Sequence, residues 1–186
     1  MPSDLPPEPW LSFLRELDAT ATDVVGLDCS GGFVMTQLYD FVRGTSDIDA
    51  LAIAPNEQAG RLLAAGGQGS ELHRKYGIYL EQVAIATYPD SYEERLVEMY
   101  PGVFEHLRLL ALEAHDLALT KLERNGQRDR DDVKHLARTG RLSTHTLTQR
   151  YQAELRPYLG NPEREDLTLK LWVEMIEQEA KAAKIL

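Results

Sequence analysis

The chain has 186 residues, of which 43% are hydrophobic and 27% are charged, and these proportions are those of an ordinary globular domain. Its single cysteine, Cys29, excludes a disulfide framework and a multi-cysteine zinc site. The sequence shows neither a membrane-spanning apolar stretch nor a signal peptide, so we expect a cytoplasmic protein with no membrane partner.

The net charge of −10 is placed unevenly along the chain. Residues 1–100 hold 6 Lys or Arg against 16 Asp or Glu, whereas residues 101–186 hold 14 of each kind. One short segment, 121–141, is basic, with seven Lys or Arg against four Asp or Glu. Because affinity for a nucleic-acid backbone comes from neutralising many phosphates, we expect no extended DNA binding. The basic segment suits one compact anion instead.

Helical and strand patterns alternate through the first half of the chain. A helix is predicted from Trp10, where apolar residues recur at helical spacing. Strands are predicted at 23–29, 47–54, 78–86 and 106–112, and further helices at 33–41, 56–65, 70–76 and 89–99. The pattern indicates a sheet surrounded by helices.

The rest of the sequence is helical. Helices are predicted at 116–124, at 130–138 with Asp129 as its N-cap, at 143–158, and after Asn161-Pro162. We therefore predict an α/β (α+β) fold, in which a small mixed β-sheet core, 1–114, precedes a helical C-terminal part, 115–186. The two parts are expected to pack together as a single compact unit.

A glycine pair and two aspartates point to the chemistry. Gly31 and Gly32 stand between a predicted strand and a helix, where the absence of side chains lets a ligand approach the backbone. Asp47 and Asp49 are two residues apart on a strand, so both side chains point to the same face. Such carboxylates repel each other unless a cation lies between them, and Mg²⁺ is bound by one or two carboxylates together with substrate phosphates. The pattern predicts a Mg²⁺-dependent site for a nucleoside triphosphate.

These residues resemble the motif of a known superfamily. The motif consists of Gly31-Gly32 followed by Arg43, Thr45, Asp47, Ile48 and Asp49. It is similar to that of the DNA polymerase β-like nucleotidyltransferases, and more closely to the minimal nucleotidyltransferases of bacterial toxin–antitoxin and abortive-infection systems. A later segment, 116–136, is similar to the Lys and Arg-x-Lys-Asp segments of that branch. The resemblance implies that residues 1–114 form a nucleotidyltransferase core.

The resemblance also implies roles for individual residues. Asp47 and Asp49 would ligate the catalytic metal ions, and Glu81 would be the third carboxylate, which activates the attacking hydroxyl. Two groups of residues would contact the nucleotide. They are Ser30, Gly31, Gly32, Arg43 and Thr45 near the first motif, and Lys121, Arg130 and Asp131 in the later segment.

The activity that the resemblance implies is transfer of a nucleoside monophosphate from a nucleoside triphosphate to an acceptor hydroxyl, with Mg²⁺ as cofactor. The acceptor is expected to be a protein or a short RNA end, and a neighbouring gene is expected to encode a partner protein. Two alternatives stay open. A catalytically degraded protein of the same fold would act as a partner or antitoxin, which loss of the third carboxylate would favour. A helical ribonuclease, based on Arg130-x₄-His135, would need His135 and not Asp47.

Overall fold

The computed structural model describes residues 4–84 and 87–184, and the chain divides into two compact units. The first unit comprises Met1–Ile85 and Leu96–Leu112, and the second comprises Ala86–Arg95 and Glu113–Leu186. The first contains a mixed sheet and the second is helical, so the predicted α/β (α+β) fold is confirmed. Within the described ranges, no helix has the length and apolar character needed to cross a membrane.

The first unit is built on a five-stranded mixed sheet. Its strands are β1 (Val25–Ser30), β2 (Asp47–Ala54), β3 (Tyr79–Gln82), β4 (Val97–Met99) and β5 (Leu107–Ala111), and their order across the sheet is β3-β2-β1-β5-β4. β1 pairs with β2 in antiparallel and with β5 in parallel direction. β2 pairs with β3 in parallel and β4 with β5 in antiparallel direction. β3 is therefore an edge strand beside β2.

The helices of the first unit cover this sheet with apolar faces. They are α1 (Trp10–Asp18), α2 (Gly31–Gln37), α3 (Asn56–Gly66) and α4 (Glu71–Tyr76). α1 buries Phe13, Leu14 and Leu17, at the helical spacing that the sequence predicts. α2 begins directly after β1 and buries Phe33 and Val34. This junction places the glycine pair at the end of a central strand.

A bulge interrupts the pairing of β2 with β1. Leu27 lies opposite Ile53 and Cys29 lies opposite Ala50, so a step of two residues on β1 faces a step of three residues on β2. The spacing of the buried residues of β2 changes at the bulge. Ile48 and Ala50 are two residues apart, and the next buried residue, Ile53, follows Ala50 by three. The extra residue therefore keeps the apolar side chains of both halves of the strand in the core.

The described residues of the second unit form four α-helices and three shorter helical turns. They are α5 (Ala114–Leu119), α6 (Gln127–Arg138), α7 (Thr144–Arg150) and α8 (Glu163–Ala183), with a π-helical turn at Tyr151–Leu155 and 3-10 helices at Tyr92–Arg95 and Arg156–Tyr158. The buried Asp116 of α5 pairs with Arg95 at 2.8 Å, and Arg95 also contacts Glu154 at 2.6 Å. Trp172 of α8 donates a hydrogen bond from Nε1 to Oδ1 of Asn125 at 3.0 Å.

A second polar cluster surrounds Glu113, the residue that precedes α5. Its carboxylate is 2.8 Å from Nδ1 of His115 and also pairs with Arg150. Burial on its own would raise the pKa of Glu113, but the hydrogen bonds with His115 and Arg150 outweigh it and lower the pKa to about 2. This carboxylate is therefore charged in the folded protein over the whole neutral range.

Some predicted elements differ from the structure around β4. The helix predicted at 89–99 is wrong, because its middle forms only the short 3-10 helix and Val97–Met99 is a strand that pairs with β5. Residues 85 and 86, at the end of the third predicted strand, lie outside the described residues.

The predicted helix boundaries in the second unit also need correction. Asp129 is not the N-cap of α6 but lies in its first turn, where its carboxylate accepts a hydrogen bond from the backbone N–H of Gly126 at 2.8 Å. The helix predicted at 143–158 is regular only over α7. Pro157, which has no N–H to donate, lies in the 3-10 turn that ends this helical stretch.

Candidate active site

Three carboxylates converge at one edge of the sheet. In the parallel pairing of β2 with β3, Asp49 lies opposite Glu81. Asp47 precedes Asp49 by two residues and therefore lies on the same face of β2. One carboxylate oxygen from each of the three lies within 4.8 Å of the other two. The structure thus brings together the three residues that the sequence analysis proposes as catalytic carboxylates.

The carboxylate of Asp49 lies against the first residue of the glycine pair. Gly31 has a φ of +66°, a conformation that L side chains rarely adopt. A Cβ atom at this position would lie 1.8 Å from Oδ2 of Asp49, so a larger residue would displace that carboxylate. Both the backbone and Asp49 therefore require glycine here. The contact of this turn with a triphosphate stays a prediction.

The second glycine makes room for two other side chains of the motif. A Cβ atom on Gly32 would lie 2.6 Å from Oγ1 of Thr45 and 2.8 Å from Nη2 of Arg43. Thr45 donates its hydroxyl hydrogen to Oδ1 of Asp47 at 2.8 Å, so it holds one carboxylate in place. The motif predicts only a nucleotide contact for Thr45, and its hydrogen bond with Asp47 is not among the predictions. The Thr-x-Asp spacing in the sequence could have indicated this hydrogen bond, because a threonine hydroxyl can reach a side chain two residues away.

Ser30 and Tyr79 are two side chains next to the carboxylate cluster. Ser30, at the end of β1, is buried, and its hydroxyl is 3.5 Å from the backbone carbonyl of Asp49. Tyr79 lies opposite Asp47 in the pairing of β3 with β2. Burial, and after it the negative charges of the three carboxylates, raises the pKa of the Tyr79 hydroxyl. The site is thus a region of negative potential that favours a cation.

The carboxylate cluster fits a divalent metal ion. Its donors are all oxygens, the ligand type that Mg²⁺ prefers. At a Mg–O distance of about 2.1 Å, two ligands of one ion are at most about 4.2 Å apart. The observed spread of up to 4.8 Å exceeds this by well under 1 Å, which small rotations of the side chains close. Asp47 and Asp49, which share one face of β2, are therefore the residues that would hold the ion, with the exposed carboxylate of Glu81 beside it.

A cleft of about 600 Å³ adjoins the carboxylates at the edge of the sheet. Its lining residues all belong to the first unit and include Glu81. They are Leu63, Gly67, Gln68, Tyr79, Leu80, Glu81, Gln82, Val83 and Ala84. The cleft cannot be predicted from the sequence, because it depends on how the end of α3 lies beside β3.

The remaining residues predicted to contact the nucleotide lie in the second unit. The side chain of Lys121 is 3% exposed, and its ammonium group pairs with the buried Asp132 at 2.9 Å. Arg130 donates to the side chain of Gln127 at 3.0 Å, and Asp131 accepts from the same residue at 2.8 Å. Each of the three has a partner inside its own unit. Their contact with a nucleotide stays a prediction.

The mixed sheet, the glycine-containing turn after β1 and the three converging carboxylates are together the features of a nucleotidyltransferase core. Sequence comparison agrees with this class. Residues 14–181 match the family described as "Nucleotidyltransferase of unknown function (DUF6036)", and the chain belongs to this family. No curated protein and no solved structure matches the chain significantly.

Proposed function

We propose that this chain is a Mg²⁺-dependent nucleotidyltransferase of the DNA polymerase β-like kind, which moves a nucleoside monophosphate from a nucleoside triphosphate to a hydroxyl of a protein or an RNA end. The observation that carries the proposal is the convergence of Asp47, Asp49 and Glu81 in a chain of a nucleotidyltransferase family. The resemblance of the motif between Gly31 and Asp49 supports this superfamily. It also supports a role in a toxin–antitoxin-like system with a partner from a neighbouring gene.

Some residues of the site would bind the metal ion, and others position the carboxylates that bind it. Asp47 and Asp49 would hold the metal ion, which when bound would lower the pKa of the acceptor hydroxyl and offset charge on the transferred phosphoryl group. Thr45 orients Asp47 through its hydrogen bond, and Gly31 leaves the space that Asp49 occupies. Fixed geometry of this kind is the main contribution of a protein to phosphoryl transfer.

The transfer step forms one bond and breaks one bond. The acceptor oxygen bonds to the α-phosphorus of the nucleotide, and the bond from that phosphorus to the oxygen bridging to the β-phosphorus breaks. Pyrophosphate leaves with the electron pair. An oxygen of Glu81 accepts the proton of the hydroxyl. Glu81 suits this role because it is the exposed member of the cluster and lies opposite Asp49.

Thermal unfolding tests the nucleotide site without knowledge of the acceptor. Each of the four common nucleoside triphosphates at about 100 times its dissociation constant should add roughly 2.7 kcal/mol to the free energy of unfolding. For a chain of this length, that is a rise in Tm on the order of 5–10 °C. The rise should need Mg²⁺ and disappear in Asp47→Asn and Asp49→Asn. A Tm unmoved by millimolar nucleotide with Mg²⁺ would refute the proposal.

A transfer assay then separates binding from chemistry. Glu81→Gln should keep the Mg²⁺-dependent rise in Tm but lose transfer of label from an α-³²P nucleotide. Glu98→Gln is the matched control, because it removes an exposed strand carboxylate from β4, at the opposite edge of the sheet. The presence of Glu81 in the cluster favours an active enzyme over the degraded binding module. The ribonuclease alternative would instead be supported if His135 were essential and Asp47 were not.

A further inference from the structure

The described residues that line the cleft beside the carboxylates include none of those predicted to contact the nucleotide. One of its walls is formed by residues 79–84 of the β3 segment and the other by the end of α3 and the residues after it, including Gln68. Glu81 belongs both to the lining and to the carboxylate cluster. A molecule that occupies the cleft therefore reaches the group that accepts the proton in the proposed transfer.

The charge of the lining does not match a nucleic acid. Among the described residues that line the cleft, none is Lys or Arg, and the one charged residue is Glu81. An RNA end carries phosphates close to its terminal hydroxyl, and proteins bind such phosphates chiefly with Lys and Arg. The lining combines apolar side chains, Leu63 and Val83, with the amides of Gln68 and Gln82. This mixture matches the alternating apolar and polar groups of a polypeptide.

The edge of β3 offers backbone groups to the cleft. Tyr79 and Val83 donate their N–H groups to carbonyls on the β2 side, each at 2.9 Å. Because neighbouring residues of a strand direct their backbone groups to opposite sides, the N–H and C=O of Gln82 face away from β2. On that side Leu80 forms an isolated parallel bridge with Gly67. The cleft continues along the strand from the point where this bridge ends.

We propose that the cleft binds the acceptor as an extended polypeptide, which pairs with the edge of β3 beyond the Gly67–Leu80 bridge, at Gln82, and presents a Ser, Thr or Tyr hydroxyl to Glu81. This inference rests on the proposed function, because it names the molecule that receives the nucleotide. Backbone hydrogen bonds to the edge strand hold the segment, and the apolar part of the lining selects its side chains. The side-chain oxygen bonds to the α-phosphorus, pyrophosphate leaves with the electrons of the broken P–O bond, and the proton passes to Glu81. The product is a nucleotidylated peptide with a phosphodiester linkage.

The first experiment compares acceptors with the full chain and Mg²⁺. The probes are a library of twelve-residue peptides with one central Ser, Thr or Tyr, a twelve-nucleotide single-stranded RNA, and pooled transfer RNA with free 3′ hydroxyls. Each is incubated with the four α-³²P nucleoside triphosphates in turn. We expect label on peptides and none on either RNA.

The second experiment tests the edge of β3 with two variants at one position. Gln82→Pro removes the outward N–H, and proline is tolerated in an edge strand when its missing N–H faces outward. Gln82→Ala removes the same side chain but keeps the N–H. The specificity constant for a labelled peptide should be at least about tenfold lower in the proline variant than in the alanine variant. Gln68→Trp, which fills the cleft from the opposite wall, should also lower peptide transfer and provides a second variant if Gln82→Pro does not fold.

The outcomes distinguish this inference from the proposed function. Label on RNA and not on peptides would overturn the polypeptide acceptor while supporting nucleotidyl transfer. Absence of label on every probe, with the Mg²⁺-dependent rise in Tm intact, would also overturn the polypeptide acceptor. Equal peptide transfer by Gln82→Pro and Gln82→Ala, together with unimpaired transfer by Gln68→Trp, would overturn binding in the cleft. Loss of the rise in Tm itself would count against the proposed function.

Discussion

Replacing Gly31 by alanine tests whether the glycine turn serves the carboxylates. Gly31 has a φ of +66°, and a Cβ atom there would lie 1.8 Å from Oδ2 of Asp49. Gly77 is a matched control in the same unit, because its φ is +72° and nothing lies within 4 Å of its Cβ position. Both substitutions therefore strain the backbone to a similar degree, and only Gly31→Ala displaces a carboxylate.

The expected costs follow from these distances. A left-handed conformation costs an L-residue about 1–2 kcal/mol, so both variants should melt roughly 2–8 °C lower. Ordinary contact with a Cβ atom begins at 3.4 Å, so Asp49 must retreat by roughly 1.6 Å in Gly31→Ala. Metal–ligand distances tolerate only about 0.2 Å. Because even residues that merely orient a ligand account for 10–100-fold in metal affinity, losing this ligand should cost more than roughly 100-fold.

Calorimetric titration with Mn²⁺, as a stand-in for Mg²⁺, measures this affinity directly. We expect Gly77→Ala to bind Mn²⁺ as the unsubstituted chain does and Gly31→Ala to bind it far more weakly, at similar values of Tm. Equal Mn²⁺ affinities in the two variants would show that Asp49 does not need the space above Gly31. The assignment of this glycine to the carboxylate cluster would then be wrong.

Three further predictions concern single contacts. Thr45→Val should weaken Mn²⁺ binding by roughly 10–100-fold, because Asp47 loses the hydroxyl that orients it, whereas Thr45→Ser should keep most of the affinity in the same titration. Lys121→Met should lower the free energy of unfolding in urea by about 3–5 kcal/mol, because the buried Asp132 loses its lysine; an unchanged stability would contradict a structural role for this pair. The pKa of Glu113 is lowered in the folded chain, so its contribution to stability, on the order of 3 kcal/mol, is present above about pH 4.5 and lost as the pH falls toward 2. Unfolding curves from pH 7 to pH 2 should therefore show a weaker acid dependence in Glu113→Gln than in the unsubstituted chain.

The acidic site could be predicted largely because strand periodicity is a local property. Residues two apart on a strand share a face in any fold, so Asp47 and Asp49 could be paired from the sequence alone. Glu81 is different, because only the resemblance of the motif to a superfamily with a third carboxylate indicates a catalytic role for it. Its place opposite Asp49 depends on the register of β3 against β2, and the alternation within each strand fixes only which face a residue occupies, not a shift of the pairing by two residues.

Features that depend on contacts between distant segments escaped prediction. The apolar residues around β4 fit a helical spacing, and a three-residue strand is too short to show alternation of its own. Only pairing with β5 defines it as a strand. Lys121 shows the same difficulty for a single side chain. The resemblance predicts that Lys121 contacts the nucleotide, but it gives no sign of the tertiary packing that buries this side chain beside Asp132.

The bulge in β2 has a consequence for how the length of this strand can vary. Leu51 and Ala52 lie within the three-residue step that faces two residues of β1. Deletion of one of them would leave a regular strand, in which Ile53 still faces the core and Asp47 and Asp49 still share the opposite face. In a strand without a bulge, a change of one residue would exchange the two faces beyond it. The deletion of one residue at this point is therefore absorbed locally, although it shortens the distance along the chain between the acidic pair and the end of β2.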